Sequence, residues 1–512
     1  ASADVKKSSS LVATFTDFTG KAPDTDTDWP RKNNSDTLEI LIGQTDYDET
    51  AAVFDEIKYG QYIIKAVGNK IVIMGYTDKA IEKAVNEFIS ICRSKRDAAT
   101  KSITVTAEEL YVKGNEGGHF LNVLPIYGGD SRVLYYDSGL RDANNSCDMI
   151  AITNTSSSEY TAYLSKLGGA GFDFYTSAEM GKNKFATYTK ENYMVTLGYY
   201  PFDKTVRITV EKDTPLAGLE SENKYKKITT SQVCLLGNES ERCGNGLLQL
   251  IRLEDGRFIV IDGVDEGNDY RDAFIAEIKR QAKEYGNDNP VIAVWILTHA
   301  HGDHDKLFYK SVDAIKAQGI TVERVFMNAI TSTEEIKKLA ALGADPTRIP
   351  RAGSPDLVMS KAAAIGATMY KVHSGQVFYF ANAKIEVLYT QETQYPLIVE
   401  AINTTSLVMK FTFTDSETGK ETTFLSTGDA TAKAFICITN NFGDYISCDI
   451  LTMAHHGSTT GGGPQSAAME KVAAAYKIIN PTLAFWPVGN EGAYDLYKDV
   501  NIRNLDNTLF AC

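Results

Sequence analysis

The stretch Thr298-His299-Ala300-His301-Gly302-Asp303-His304-Asp305 decides how the rest of the chain is read. Three of the seven histidines in the 512 residues fall within it, with an aspartate between the second and the third. Just before it runs Val291-Ile292-Ala293-Val294-Trp295-Ile296-Leu297, a continuous apolar segment rich in β-branched residues. Such a run reads as a strand buried on both faces, so the cluster lies in the loop leaving a rigid core strand. Imidazole and carboxylate donors together suit Zn, Fe or Mn rather than Ca or Mg.

Three further pieces share that placement at strand ends. Asp262, in Val260-Ile261-Asp262-Gly263, follows a hairpin whose arms, Leu247–Leu253 and Arg257–Ile261, meet across Glu254-Asp255-Gly256. Ser426-Thr427-Gly428-Asp429 follows the strand Thr422-Thr423-Phe424-Leu425, and Ala454-His455-His456-Gly457-Ser458 follows Ile450-Leu451-Thr452-Met453. Singly, each has a plain explanation. Asp429 could cap a helix starting at Ala430, Asp262 could be a turn aspartate, and His455 with His456 could be a surface pair. Taken with His-x-His-x-Asp-His, they read as several strand-end loops each bringing His or Asp to one place, the way a two-metal site is assembled.

Composition sets the bounds. The length implies two or three domains, and 43% hydrophobic with 23% charged residues is ordinary for globular chains. A net charge of -14, from 52 basic and 66 acidic residues, disfavours a broad polyanion-binding face and makes long nucleic acid a poor partner. No apolar stretch reaches the ~18 residues needed to span a bilayer, and no apolar run follows Ala1-Ser2-Ala3-Asp4. The seven cysteines (Cys92, Cys147, Cys234, Cys243, Cys437, Cys448 and Cys512) are scattered and form no CxxC, which removes zinc ribbons and thioredoxin-like motifs from consideration. A secreted or cell-surface setting is favoured over a cytoplasmic one; oligomeric state is not legible.

Three domains are expected: a small α/β accessory domain over 1–113, an α+β accessory domain over 114–225, and a third domain over 226–512 that carries the His and Asp motifs. The first begins with a polar tract to about residue 36, whose start is expected to fray. Strand-turn-strand segments then lead to a helix capped at Asp78, with Ala80, Ile81, Ala84, Val85, Phe88 and Ile89 at helical spacing. This stretch resembles small α/β domains that precede catalytic domains in some secreted glycan-degrading enzymes, and a packing or spacer role is the plainer reading. The second domain shows a strand at Met149-Ile150-Ala151-Ile152, one amphipathic helix, and aromatic-rich strands near 171–176, 184–200 and 205–211. Its aromatics fit half-buried strands, and His119 is given no role.

With the motifs in order, residues 231 to 512 resemble the metallo-β-lactamase superfamily of metal-dependent hydrolases. The series Asp262, His299-x-His301-x-Asp303-His304, Asp429, His456 follows that superfamily's order. Asn403-Thr404-Thr405-Ser406-Leu407-Val408-Met409-Lys410-Phe411, Phe424-Leu425-Ser426-Thr427-Gly428-Asp429 and His455-His456-Gly457-Ser458 are similar to the hydrolase domain of bacterial DNA-uptake (competence) channel proteins and to related phosphodiesterases, choline-phosphate esterases among them. The resemblance implies an α/β (α+β) chain whose C-terminal part is an αββα sandwich, with metals at the shared edge of two sheets. It implies two zinc ions, with Mn or Fe as alternatives. His299 and His301 would bind the first, Asp303, His304 and His456 the second, and Asp429 would bridge both. Asp262 would support them from behind, and His455 would meet the substrate as a proton donor or phosphate contact.

One expected ligand is missing. Many members carry a third first-site histidine before the strand that here is Leu407-Val408-Met409, where this chain has Asn403 and Ser406. His373 is the spare histidine, two or three strands too early. The implied chemistry is hydrolysis by a water that the cations activate, with Asp303, Asp429 and His455 in catalytic roles and a phosphodiester as the expected bond. A small-molecule or glycan- or lipid-linked ester is the expected substrate. Lactam, lactone or thioester hydrolysis, or a binding protein that keeps the fold with weak catalysis, are the alternatives. Gly461-Gly462-Gly463 lacks the Lys-Ser/Thr of a P-loop and reads as a loop rimming the site.

Overall fold

A computed structural model describes residues 3–26, 37–117, 121–128, 133–137, 147–214, 216, 225–236, 248–264, 270–328, 354–394, 402–457, 467–485 and 509–511. His119, Cys243, Cys512, Gly461-Gly462-Gly463 and the side chain of His456 lie outside the described residues. The chain divides into two compact units, Ala1–Gly129 with Tyr163–Gly171, and Asp130–Ala162 with Phe172–Cys512.

The first unit is a four-stranded sheet in the order Glu39–Ile42, Lys70–Gly75, Gln61–Val67, Val112–Asn115. Its helix Asp78–Ser94 starts one residue earlier than expected at the cap: the Thr77 hydroxyl, not Asp78, accepts from Ala80 N at 3.0 Å. Ala80, Ala84, Val85, Phe88 and Cys92 face inward from that helix. The tract expected to fray is instead a helix, Ala3–Thr19. Leu11 and Phe18 are buried and Phe15 is packed beside them. These three residues follow helical spacing, and the polar residues around them are the exposed face.

The second unit holds three large sheets. Two of them have seven strands each and face one another. In the first, Phe258–Ile261, Val291–Ile296, Arg324–Met327 and Thr368–Lys371 run parallel, with Leu248–Arg252 and Gln232–Leu236 added antiparallel. In the second, Val377–Phe380, Ala383–Tyr389, Val408–Thr414 and Glu421–Ser426 are antiparallel, and Ile450–Thr452, Leu483–Phe485 and Leu509–Ala511 continue it in parallel. Ile259, Val294, Ile296 and Phe326 of one sheet meet Val387, Met409, Phe411 and Phe424 of the other in one apolar layer.

Helices cover the outer faces. Arg271–Lys283, Gly302–Ala317 and Ser354–Ile365 bring Phe274, Ile278, Phe308, Val312, Ile315 and Val358 onto the first sheet, where they meet Trp295 and Leu297. Ala432–Phe442 and Ala467–Ile479 bring Phe435, Ile438, Tyr476 and Ile479 onto the second. The layers are therefore helix, sheet, sheet, helix, the expected αββα sandwich. The strand Val291–Ile296 reads as an unbroken apolar run because each of its faces is covered, and each such side chain contributes about 1.5–3 kcal/mol by leaving water.

The third sheet has six antiparallel strands in the order Val133–Asp137, Cys147–Ile152, Thr205–Lys212, Tyr193–Tyr200, Asn183–Lys190, Asp173–Met180. The 184–200 stretch, expected as one strand, is two: the chain reverses at Glu191-Asn192, and Glu191 takes a φ of +51°. Met180, Phe185 and Tyr200 of this sheet pack with Leu388, Tyr389 and Phe442 of the sandwich. Gly375 (φ +90°) gives Phe185 its room, since a Cβ there would lie 2.0 Å from the ring. No helix among the described residues is long and apolar enough to cross a membrane.

Candidate metal centre

The loops leaving the C-terminal ends of the parallel strands converge on one place. Strand Val291–Ile296 delivers Thr298 and His299, both fully buried. His301 is the N-cap residue of helix Gly302–Ala317, which puts Asp303 and His304 in its first turn. Strand Glu421–Ser426 leads to Asp429, 2% exposed, and strand Ile450–Thr452 leads to the short turn Ala454–Gly457 with His455.

Donor atoms of His299, His301 and Asp429 lie within 4.8 Å of one another, and so do those of Asp303, His304 and Asp429. Asp429 belongs to both sets. Its Oδ2 is 3.6 Å from His299 Nε2 and its Oδ1 is 3.2 Å from His304 Nε2. His299 Nε2 and His301 Nδ1 stand 2.9 Å apart, and His304 Nε2 is 3.7 Å from Asp303 Oδ2. His455 Nε2 lies 3.8 Å from Asp429 Oδ2, and its side chain is 26% exposed against 0% for His299. His456 follows in the same turn.

Asp262 organises this set from behind. It takes a left-handed φ of +59°, and its backbone N donates to Ile296 O at 2.8 Å. Its Oδ1 accepts from Thr298 N at 2.7 Å, and its Oδ2 accepts from the Thr298 hydroxyl at 2.7 Å and from His304 Nδ1 at 2.9 Å. Thr298 Oγ1, having donated to Asp262, is left to accept from His299 Nδ1 at 3.1 Å. Both His299 and His304 are thereby set with Nε2 turned toward Asp429, the one through a hydroxyl and the other directly. Thr298 is a functional residue that motif reading alone missed.

Gly428 is the other fixed point. A Cβ there would come within 2.8 Å of Thr298 Oγ1 and 2.9 Å of Thr298 Cβ, and its φ is +50°. The Ser406 hydroxyl accepts from Asp429 N at 3.1 Å, and Leu407 N donates to Thr298 O at 3.0 Å, so the loop containing Asn403 closes over the same place. Asn403 is buried, and its Oδ1 has no hydrogen-bond partner among the described residues.

Charge follows from burial. Burial, helped by the neighbouring His304, pushes His299 well below the usual imidazole range, and burial also lowers His301. For His304 burial opposes the charged form, but the carboxylates of Asp429 and Asp262 outweigh it and hold the imidazole well above its usual range. Three imidazoles and two carboxylates, buried or half-buried, form a donor set of the kind borderline divalent cations take.

His373, the spare histidine, pairs elsewhere: Nδ1 lies 2.9 Å from Glu392 Oε2 and Nε2 lies 3.2 Å from Glu211 Oε2. It belongs to a separate group with Cys147 and Glu392, so it does not fill the missing first-site position.

No family model and no curated protein matches the chain. Solved structures similar to part of it include the metallo-β-lactamase fold protein YhfI from Bacillus subtilis, at 13% identity over 55% of this chain and 96% of that one, with a TM-score of 0.33. They also include the class B3 di-zinc metallo-β-lactamase LRA-12 from an Alaskan soil metagenome, at 13% identity over 52% of this chain and 95% of that one, with a TM-score of 0.22. A third is the diiron β-hydroxylase CmlA from Streptomyces venezuelae, at 11% identity over 53% of each chain, with a TM-score of 0.31.

Proposed function

We propose that the chain is a metal-dependent hydrolase with a two-ion centre, acting on a phosphoester and most readily a phosphodiester of a small molecule or of a glycan- or lipid-linked group. The observation that carries this reading is Asp429, which offers one carboxylate oxygen to each of two buried donor sets. His299 and His301 would hold one ion and Asp303 and His304 the other, with Asp429 between them and His456 joining the second. Zinc fits the donors best, with Mn or Fe as alternatives.

When bound, the cations supply Lewis acidity and lower the pKa of water to about 7, which removes any need for a serine or cysteine nucleophile. The chain's own residues do the rest. Asp429 orients the reacting water, Asp262 and Thr298 keep the imidazoles in the ligating tautomer, and His455, more exposed than its neighbours, hands a proton to the leaving group. The phosphoester preference rests on the likeness of the segments around Asn403, Asp429 and His455 to phosphodiesterases. The net charge of -14 supports a small substrate over a long polyanion.

The test is metal analysis of the purified protein beside assays on a model phosphodiester, a β-lactam, a lactone and a thioester. Two ions per chain that depend on Asp303 and Asp429, counted as the metal lost in Asp303→Asn and Asp429→Asn, with turnover of the phosphodiester, are the expected results. Unchanged metal content in both variants would remove the site assignment, and lactam turnover without phosphoester turnover would remove the substrate class.

A further inference from the structure

A second buried cluster lies where the six-stranded sheet packs against the sandwich, and the proposed hydrolase centre makes no use of it. Cys147 opens the strand Cys147–Ile152 and pairs in register with Glu211 on Thr205–Lys212, so the two side chains project from one face of the sheet. Opposite them, His373 follows the strand Thr368–Lys371, and Glu392 sits in the turn Gln391–Gln394. Cys147, Glu211, His373 and Glu392 are 1%, 5%, 2% and 4% exposed.

One ligand atom each from Cys147, His373 and Glu392 falls within 4.8 Å of the other two. Glu392 is fixed by Asn328 Nδ2 on Oε1 at 3.0 Å and by Thr390 Oγ1 on Oε2 at 2.9 Å. Lys371 Nζ stands 3.5 Å from Glu392 Oε1. His373 Nε2 and Glu211 Oε2 face each other at 3.2 Å, an ion pair when His373 is protonated, with no well-formed hydrogen bond at either atom. Such buried, unsatisfied atoms are costly unless something answers them.

We infer that Cys147, His373 and Glu392 hold a structural divalent cation of the zinc type, with Glu211 as the carboxylate behind the imidazole or as a fourth ligand. The donors are a thiolate, an imidazole and a carboxylate, each familiar for zinc, in a closed place suited to a structural ion. Charge favours it. A Cys147 thiolate, Glu211 and Glu392 carry three negative charges, more than Lys371 beside Glu392 and Arg207 on the Glu392 carbonyl supply in positive charge, and a bound cation offsets the remainder. Binding displaces the thiol proton, and an imidazolium proton where His373 carries one, with no redox step. The ion would tie the six-stranded sheet to the sandwich, since Cys147 and Glu211 come from one and His373 and Glu392 from the other.

The competing arrangement is an ion-pair network in which a protonated His373 and Lys371 balance Glu211 and Glu392. Cobalt(II) loading of the full chain separates the two, because the hydrolase centre contains no cysteine. The expected result is a thiolate-to-cobalt charge-transfer band in the near ultraviolet. It disappears in Cys147→Ser with loss of one equivalent of metal, and persists in Asp429→Asn. If Cys147→Ser does not fold, Glu392→Gln, which keeps the shape of the side chain, should weaken cobalt binding in the thiolate band at least tenfold. Full cobalt loading of the wild-type chain without a thiolate band, or a band that Cys147→Ser and Glu392→Gln leave untouched, would overturn the site and leave the ion-pair network.

Discussion

Asp262 Oδ2 accepts the Nδ1 proton of His304 at 2.9 Å, and the same oxygen accepts the hydroxyl proton of Thr298 at 2.7 Å. One carboxylate thereby sets the ring orientation of two histidines, His304 directly and His299 through Thr298. Asp262→Asn should fold and yet bind metal about 10–100-fold more weakly, the usual cost of losing such a partner. Competition with a chromophoric chelator reads the loss directly. Wild-type affinity in Asp262→Asn would contradict this role.

Thr298 relays that effect to His299, whose Nδ1 is 3.1 Å from the hydroxyl. Thr298→Ser retains the hydroxyl and should retain metal binding. Thr298→Val keeps the shape but removes the relay and leaves an Asp262 oxygen short of a donor. Its expected cost is about 1–3 kcal/mol in stability, with a weakened first ion. Thermal unfolding and metal stoichiometry measured on the Ser and Val pair distinguish the relay from simple packing.

Gly428→Ala forces a side chain into a φ of +50° and against Thr298 at 2.8 Å. Backbone strain alone costs about 1–3 kcal/mol, and the new Cβ would press on Thr298 and on Ser406, whose hydroxyl accepts from Asp429 N. Hydrolysis should fall by at least tenfold while the far-ultraviolet circular dichroism stays native. Equal activity in Gly428→Ala would mean that the loop shifts without moving the carboxylate.

That Asp262, His299, His301, Asp303, His304, Asp429 and His455 come together was legible because these residues stand at strand ends. Asp262, Asp303 and Asp429 each stand beside a Gly or His that marks a loop, and all come to one place. Thr298 was not legible, since a threonine closing an apolar run is ordinary until Asp262 is folded against it. The cluster around Cys147 was also hidden: its four members span from residue 147 to 392, and no spacing rule links a cysteine on one sheet to a histidine beyond the edge of another. Two errors of secondary structure have local causes. The helix Ala3–Thr19 spaces Leu11, Phe15 and Phe18 among mostly polar residues, and the turn at Glu191-Asn192 lacks the glycine that usually signals it.

Burial raises the thiols of Cys92 and Cys437 to about 11 and that of Cys448 to about 12. At pH 8 their thiolate fraction is therefore about a hundredfold or more below that of an ordinary cysteine. Alkylation of the native protein followed by peptide mapping should leave these three unmodified, and the same reagent in denaturant should label them. Because the folded values lie above the unfolded ones, raising the pH toward 11 ionises the unfolded thiols first and draws the protein toward unfolding. Rapid native-state labelling of Cys448 at pH 8 would show that the helix Ala432–Phe442 and its neighbours open far more readily than their packing implies.

The two donor sets are not equal, and metal removal should expose the difference. Among the described residues the first consists of His299, His301 and the shared Asp429, with Asn403 rather than a histidine in the adjoining loop. The second has Asp303, His304 and Asp429, and His456 follows His455 in the turn alongside. Of the two ions at this centre, counted apart from any ion at Cys147, a graded chelator titration should release one first and the other only at higher chelator. His301→Ala should abolish the early step and spare the late one. Uptake at the second set must expel the proton that Asp429 and Asp262 hold on His304, so affinity there should rise with pH through the neutral range and proton release should accompany binding. Release of both ions in one step, unchanged by His301→Ala, would show that the bridging carboxylate couples the sets more strongly than their ligand counts separate them.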